Sequence, residues 1–277
     1  MAEIRLFTEH YLPLGLELCR LAGWNQTEAD WRRLQALESQ GVFVACDHGL
    51  PCGTASAISY GSDIGWIGMV LVHPSARGRG IGTQLLERCV QYLRGRRVAH
   101  IQLDATDQGR PVYLKMGFAA GRPIDRHAGE ASFRAAPDLR EIAEADWGEL
   151  ARLDRSAFGA DRLVLLHRLA EEGPSAVVTD SLGIAGYGLT RPGHQASFLG
   201  PVVARTPQAA EAVIRSLLSK LPRGPTFWDI LPDNSAAVRL AAAMGFVPAR
   251  CLTRMHLGFP PDEYVEHVFG AAGFEFG

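Results

Sequence analysis

The sequence predicts an α/β chain, of the α+β kind with a mixed sheet, built as two similar units in succession. Three observations carry that expectation. Strand-like runs alternate with segments of helical period, so helices and strands must pack in layers. The chain has 277 residues, more than one average domain and comfortable for two. Motifs of the first half also recur in the second at a nearly constant spacing: MGFAAGR at 116–122 returns as MGFVPAR at 244–250, 128 residues on.

The elements follow in order. Ile4 to Phe7 reads as a strand, and Leu12 to Leu21 as a helix with Leu14, Leu16, Leu18 and Leu21 among its apolar positions. Thr27 with Asp30 three residues on forms a capping box with Asp in place of Glu, opening a helix that carries Trp31, Leu34 and Leu37. GVFVAC and GTASAISY, joined by DHGLP, make a hairpin. WIGMVLV (66–72) is apolar throughout, as a strand covered on both faces should be. A Gly-rich turn then opens a helix with Leu85, Leu86, Cys89, Val90 and Leu93 on its buried side. HIQLDA is a further strand, and Thr106-Asp107 can cap a short helix through Met116.

The second half repeats this order more loosely. DLREIAEADWGELARL (138–153) matches the first strand and helix, SFLGPVV matches WIGMVLV with Gly68 and Gly200 132 residues apart, and Arg126 and Arg254 share the 128 offset. Such matches indicate duplication of a unit of about 130 residues, not a short solenoid repeat. His127 to Pro137 is the expected linker, giving units 1–130 and 138–258. In the tail 259–277, DEYVEHVF has the pattern of a short helix, and GAAGFEFG is either a docked strand or loose.

Composition excludes some partners. Lys and Arg number 28 against 30 Asp and Glu, without the basic excess of a nucleic-acid binder. The start, MAEIRLFTEH, lacks an apolar signal core, and no apolar run reaches the ~20 residues that span a bilayer. A soluble cytoplasmic protein without membrane contact is expected. Five scattered cysteines suggest no disulfide framework. Cys46, His48 and Cys52 cluster only because a hairpin joins them, and without paired CxxC spacing no metal is expected.

The chemistry concentrates in Arg77-Gly78-Arg79-Gly80-Ile81-Gly82, between a strand and a helix. Glycines permit a tight turn and close backbone approach. Successive N–H groups at a helix N-terminus make a concave anion site, and the two arginines add charge. The ligand this predicts is a pyrophosphate. The spacing differs from GxGxxG, and the GK[ST] of a Walker loop is absent.

Val72 to Gly82 resembles the coenzyme A loop of the GNAT acetyltransferase superfamily, [QR]-x-x-G-x-[GA], and Tyr113 to Phe118 resembles that family's Y-x-x-x-G-F signature. The resemblance covers residues 1 to about 130. It implies two GNAT-like units, each a largely antiparallel sheet with a splayed central strand pair flanked by helices. Arg77 to Thr83, Ile81 included, would hold the pyrophosphate of acetyl-CoA. The strand Val70–Leu71–Val72 would pair with the pantetheine arm, a backbone N–H near Val70 would polarise the thioester carbonyl, and an amine would attack directly through a tetrahedral intermediate. Tyr113 stands at the position of the usual general acid, the alternative being a packing role. Thr106 replaces the Asn common seven residues before that Tyr, which leaves its cofactor contact open. Asp104 is a candidate general base, Asp107 a helix-start residue, and His73 a shaper of the loop. The acceptor wall would come from Trp24, Asn25 and Gln26, unless these merely staple and cap the next helix.

Residues 138–258 resemble a degenerate copy. Asn234 and Gly245-Phe246 are in place, but Ala241 stands where the tyrosine should, and ARTPQAAEA lacks the Arg and glycines of the phosphate loop. A second coenzyme A site is not expected. The leading expectation is therefore an enzyme acetylating a primary amine of a small molecule, working as a monomeric pseudo-dimer or a homodimer. Protein or peptide N-acetylation and a non-catalytic acyl-CoA sensor are the alternatives.

Overall fold

The computed structural model describes residues 2–130, 136–259 and 264–277. The first half runs β1 (Glu3–Leu6), α1 (Leu12–Ala22), α2 (Glu28–Leu37), β2 (Val42–Asp47), β3 (Leu50–Tyr60), β4 (Ile64–Val72), α3 (Ile81–Gly95), β5 (His100–Ala105), α4 (Arg110–Lys115) and β6 (Ala119–Glu130). The second repeats it as α5 (Trp147–Phe158), α6 (Leu163–Ala170), β7 (Ser175–Asp180), β8 (Gly183–Arg191), β9 (Ser197–Ala204), α7 (Pro207–Lys220), β10 (Pro225–Ile230), α8 (Ser235–Ala243) and β11 (Val247–Leu257), followed by β12 (Val268–Gly270). Local signals explain the ends. The Thr27/Asp30 capping box forms, with Thr27 N donating to Asp30 Oδ2 at 2.7 Å, and α1 stops at Gly23 in the left-handed region. The proline pair and part of the expected linker lie outside the described residues.

All strands join one mixed sheet in the order β1-β2-β3-β4-β5-β11-β6-β10-β9-β8-β7, with β12 added beside β9. β4 and β5 are parallel, as are β9 and β10; the other pairs are antiparallel. At the centre the two halves exchange their last long strands. β11 of the second half pairs with β5 of the first, and β6 of the first pairs with β10 of the second. β6 and β11 also pair with each other. Neither half completes its sheet from its own chain.

Two equivalent ion pairs mark this exchange. Arg126 grips Asp229 through two hydrogen bonds of 2.7 Å, and Arg254 grips Asp104 at 3.0 and 3.2 Å. All four side chains are buried, so each carboxylate compensates a cation that would otherwise be stranded away from water. The apolar core is also shared. Trp31, stacked on Phe7 at 4.7 Å, belongs to a cluster that includes Leu165 and Tyr187 of the second half.

β4 and β5 pair only from Ile64–His100 to Trp66–Gln102, and beyond that they part. β9 and β10 likewise pair only as far as Leu199–Trp228. The two gaps have different fates. In the second half the tail enters: β12 pairs with β9, Trp228 Nε1 donates to Phe269 O at 2.7 Å, and Ala271 N donates to Asp229 O at 2.9 Å. Asn234 Nδ2 reaches the carbonyls of Val265, Glu266 and Val268 at 3.0–3.3 Å. The tail then crosses to the first half, where Tyr60 and Trp66 donate to the carbonyls of Phe276 and Phe274 at 2.8 and 3.0 Å. Gly68 and Gly200, matched in the repeat, are both points of its close approach. A Cβ would fall 3.0 Å from Glu275 Cα at Gly68 and 2.1 Å from Ala271 O at Gly200.

Candidate active site

The gap between β4 and β5 stays open. It forms a cavity of about 1110 Å³ that runs from the Gly-rich turn to the second half and the tail. At one end, Gly78 and Gly80 both take positive φ, 74° and 75°, and Gly80 caps the 15-residue α3. A side chain at Gly78 would meet no protein atom within 4 Å. Its absence leaves backbone open to a ligand, and the dipole of α3 favours an anion there. Arg77, Gly78, Gly80, Ile81, Gly82 and Thr83 line this end. Arg77 Nε is anchored to Val72 O at 3.1 Å. Arg79 instead turns to an ion pair with Asp47 and is not part of the lining. His73 accepts from Ser75 N through Nδ1, which fixes the turn before the loop.

Val70, Leu71 and Val72 form one wall. Opposite Ala55 the ladder slips: Ser56 faces Gly68 but Thr54 faces Leu71. Met69 sits in this bulge at φ 53°, and its carbonyl accepts from Thr54 Oγ1 at 3.0 Å. A bulky residue with positive φ in the middle of a strand is strained and re-aims the adjacent peptide groups, a feature common beside active sites.

The other wall carries Leu103, Asp104, Thr106, Val112 and Tyr113. Tyr113 is half-buried on α4, its ring 6.1 Å from that of Phe118. Burial pushes its hydroxyl up to about 12, so it keeps its proton at neutral pH. Thr106 Oγ1 accepts from Gly109 N at 3.1 Å, and its counterpart Asn234 does likewise, with Oδ1 accepting from Ala236 N and Ala237 N at 3.1 Å. Asp104 lies in the wall, but its carboxylate is engaged with Arg254.

Of the α1–α2 loop, Trp24 and Gln26 reach the cavity. Asn25 turns away. Its Oδ1 accepts from Gln195 N and Ala196 N at 2.8 and 3.0 Å, and its Nδ2 donates to Ala196 O at 2.9 Å, so it fastens the loop to the second half.

Sequence reasoning missed the rest of this end: Arg126, Arg250, Cys251, Leu252, Phe274 and Glu275. The 128 offset, which relates MGFAAGR to MGFVPAR and Arg126 to Arg254, was the one signal that β6 and β11 matter. Glu275 is buried beside Gly68. Its Oε2 accepts from Gln26 Nε2 at 2.8 Å and its Oε1 from Arg191 Nη2 at 2.7 Å. Burial pushes the Glu275 carboxyl above the usual carboxylate range, and Arg191 offsets this only in part. Burial likewise opposes the charge on Asp30, yet Arg191 and Arg33 outweigh it and hold that carboxyl below its usual value. Gln26 Oε1 is buried without a hydrogen-bond partner.

Comparison with known proteins agrees with this geometry. Residues 10–118 match the model of the acetyltransferase (GNAT) family, and residues 150–270 match that of an acetyltransferase (GNAT) domain. The chain is 26% identical over 251 residues to the uncharacterised N-acetyltransferase YitH of Bacillus subtilis, covering 88% of this chain and 86% of that protein. It is 23% identical over 262 residues to holothin acyltransferase of a Pseudoalteromonas species, covering 92% and 87%. Among solved structures, a protein of Pyrococcus horikoshii assigned as an acetyltransferase superposes with a TM-score of 0.87 at 23% identity, over 100% of this chain and 96% of that one. A tandem GNAT protein of the clavulanic acid biosynthesis pathway gives 0.64 at 15% identity, over 94% and 99%.

Proposed function

Because this chain belongs to the GNAT acetyltransferase superfamily and carries two such domains in tandem, we propose that it transfers an acetyl group from acetyl-CoA to a primary amine of a small molecule, at one site in its first half. The observation that carries this reading is the asymmetry of the two clefts. The first is open and lined by the Gly-rich loop, the β4 bulge and Tyr113; the second is filled by the tail. The acceptor end is closed by residues of the second half and by Phe274 and Glu275, which suits a small acceptor better than a protein segment.

The residues present fit acetyl-CoA. Gly78 and Gly80 leave a cradle for phosphate, Arg77 adds charge, and the half-exposed Val70 and Val72 offer backbone along the cleft. Acetyl-CoA supplies the activated thioester. Tyr113, protonated at neutral pH, donates its proton to the departing sulfur. The acceptor end offers two side chains to an amine: Gln26 through Oε1, which has no partner, and the carboxylate of Glu275, whose backbone abuts Gly68. The Glu275 carboxyl, raised by burial while it accepts from Gln26 and Arg191, takes the proton that the attacking amine must lose; the Asp104 carboxylate holds Arg254 through both oxygens.

The test is release of free thiol from acetyl-CoA across a library of amines. Turnover that depends on both an amine and Tyr113 supports the proposal. Acetyl-CoA binding without turnover on any amine would leave a sensor, and selective turnover on peptides would leave a protein acetyltransferase.

A further inference from the structure

Arg250 lies on β11, half-buried in the cavity wall, with its guanidinium 6.0 Å from the ring centre of Trp24. It has no hydrogen bond or ion pair among the described residues. Among the described residues, the other buried arginines are each paired with a carboxylate: Arg33 with Asp30, Arg126 with Asp229, Arg162 with Asp154, Arg191 with Glu275 and Arg254 with Asp104. Burial, and then the neighbouring charge of Arg126, make the positive form of Arg250 costlier than usual. A guanidinium nevertheless keeps its charge at any ordinary pH.

The repeat shows what is missing. The counterpart of Arg250 is Arg122, 128 residues earlier on β6. Arg122 faces Asp233 at 3.6 Å. Asp233 lies in the connection from β10 to α8, between two landmarks that stand further apart than their equivalents in the first half. The matched ion pairs set Asp104 against Asp229, 125 residues apart, whereas the next landmark sets Thr106 against Asn234, 128 apart. Three more residues therefore separate the landmarks in the second half, and Asp233 falls among them. Arg250 therefore stands where its twin stands but without the carboxylate, and its guanidinium borders the cavity.

We infer that Arg250 receives an anionic group of the acceptor, so that the acceptor is an amine bearing a carboxylate or a phosphate. This rests on the reading of the cavity as an acetyl-transfer site. Planar guanidinium donors match either anion through paired hydrogen bonds. The acceptor end then has two poles: oxygens of Gln26 and Glu275 for the amine, and Arg250 beside Trp24 for the anion.

The experiment uses the full chain, acetyl-CoA and matched acceptors: amino acids against their carboxamides, and aminoalkyl phosphates against the corresponding amino alcohols. Thiol release should favour the anionic member by about tenfold or more, the size of one charge-assisted hydrogen bond. In Arg250→Gln that ratio should fall to near one, while Arg250→Lys should keep part of it. Acetyl-CoA affinity, measured by calorimetry, should be unchanged in both. Neutral acceptors turned over as well as their anionic partners, or a preference that survives Arg250→Gln, would overturn the inference. So would failure of every anionic amine in a chain that still binds acetyl-CoA. Loss of acetyl-CoA affinity in Arg250→Gln would assign the guanidinium to a phosphate of the cosubstrate and overturn it as well. A wild-type chain that fails to bind acetyl-CoA, or that binds it without turnover on any small amine, anionic or neutral, would strike the underlying reading instead.

Discussion

Tyr113 and Asp104 border the same cavity, and their surroundings assign them different work. The raised hydroxyl of Tyr113, about 12 through burial, means that it stays protonated up to pH values well above neutral. Its acid form is the useful one for a proton donor, so it contributes no falling limb to the kcat profile between about pH 6 and 9. Tyr113→Phe should lower kcat by ~10²-fold at every pH in that range, with acetyl-CoA affinity near normal. A mutant with unchanged kcat where chemistry limits turnover would make Tyr113 a packing residue. Asp104→Asn should instead act on stability. Removing the charge strands buried Arg254, at a cost of about 3–5 kcal/mol, readable in urea unfolding. A folded Asp104→Asn protein with collapsed kcat and normal stability would restore Asp104 as the base.

At the scale of elements, the tail is the clearest case of structure made by a segment with little local signal. Phe269 and Phe276 are almost wholly buried, and Phe276 has the guanidinium groups of Arg33 and Arg191 at 5.2 and 5.7 Å from its ring centre. Phe276→Ala should cost about 3–5 kcal/mol, as large as a change in the middle of a helix core, and a mild effect on the unfolding midpoint would show that the tail is only loosely held. The α1–α2 loop is similar in kind. Asn25 was legible as an interesting polar residue beside Trp24, but its partners, Gln195 and Ala196, lie 170 and 171 residues away, beyond the reach of any local pattern.

For the whole molecule, the filled second cleft predicts one acetyl-CoA per chain. Calorimetric titration should give a stoichiometry near one, and Arg77→Glu with Gly80→Glu should abolish binding by placing negative charge and bulk in the phosphate cradle. Two equivalent sites would contradict the plugging of the second cleft. Strand exchange carries a second expectation. Residues 1–130 expressed alone leave β5 and β6 without β11 and β10, so unpaired edges should drive that fragment to associate or aggregate. A stable monomer, by ultracentrifugation, would mean the exchange is dispensable. Because each half already completes the other, we propose the chain as a monomeric pseudo-dimer.

The sequence by itself determined the alternation of elements, the duplication, the α2 capping box and the Gly-rich loop before α3. These depend on contacts within a few residues or on period, and both are written along the chain: Thr27 caps with Asp30, and Gly80 turns where it opens α3. Ala241 and the missing loop glycines also set the expectation that the second copy lacks cofactor chemistry. Tertiary structure alone decided what fills that copy, which strands exchange, and which groups border the acceptor. Asp104 looks like a free carboxylate in HIQLDA until β11 brings Arg254 across 150 residues to meet it. Glu275 carries no motif and Arg250 only the end of a repeated segment, and they border the cavity only because the tail and β11 are folded back over the first half. A side chain's charge is local, but whether that charge is neutralised depends on what long-range packing places within a few ångströms of it.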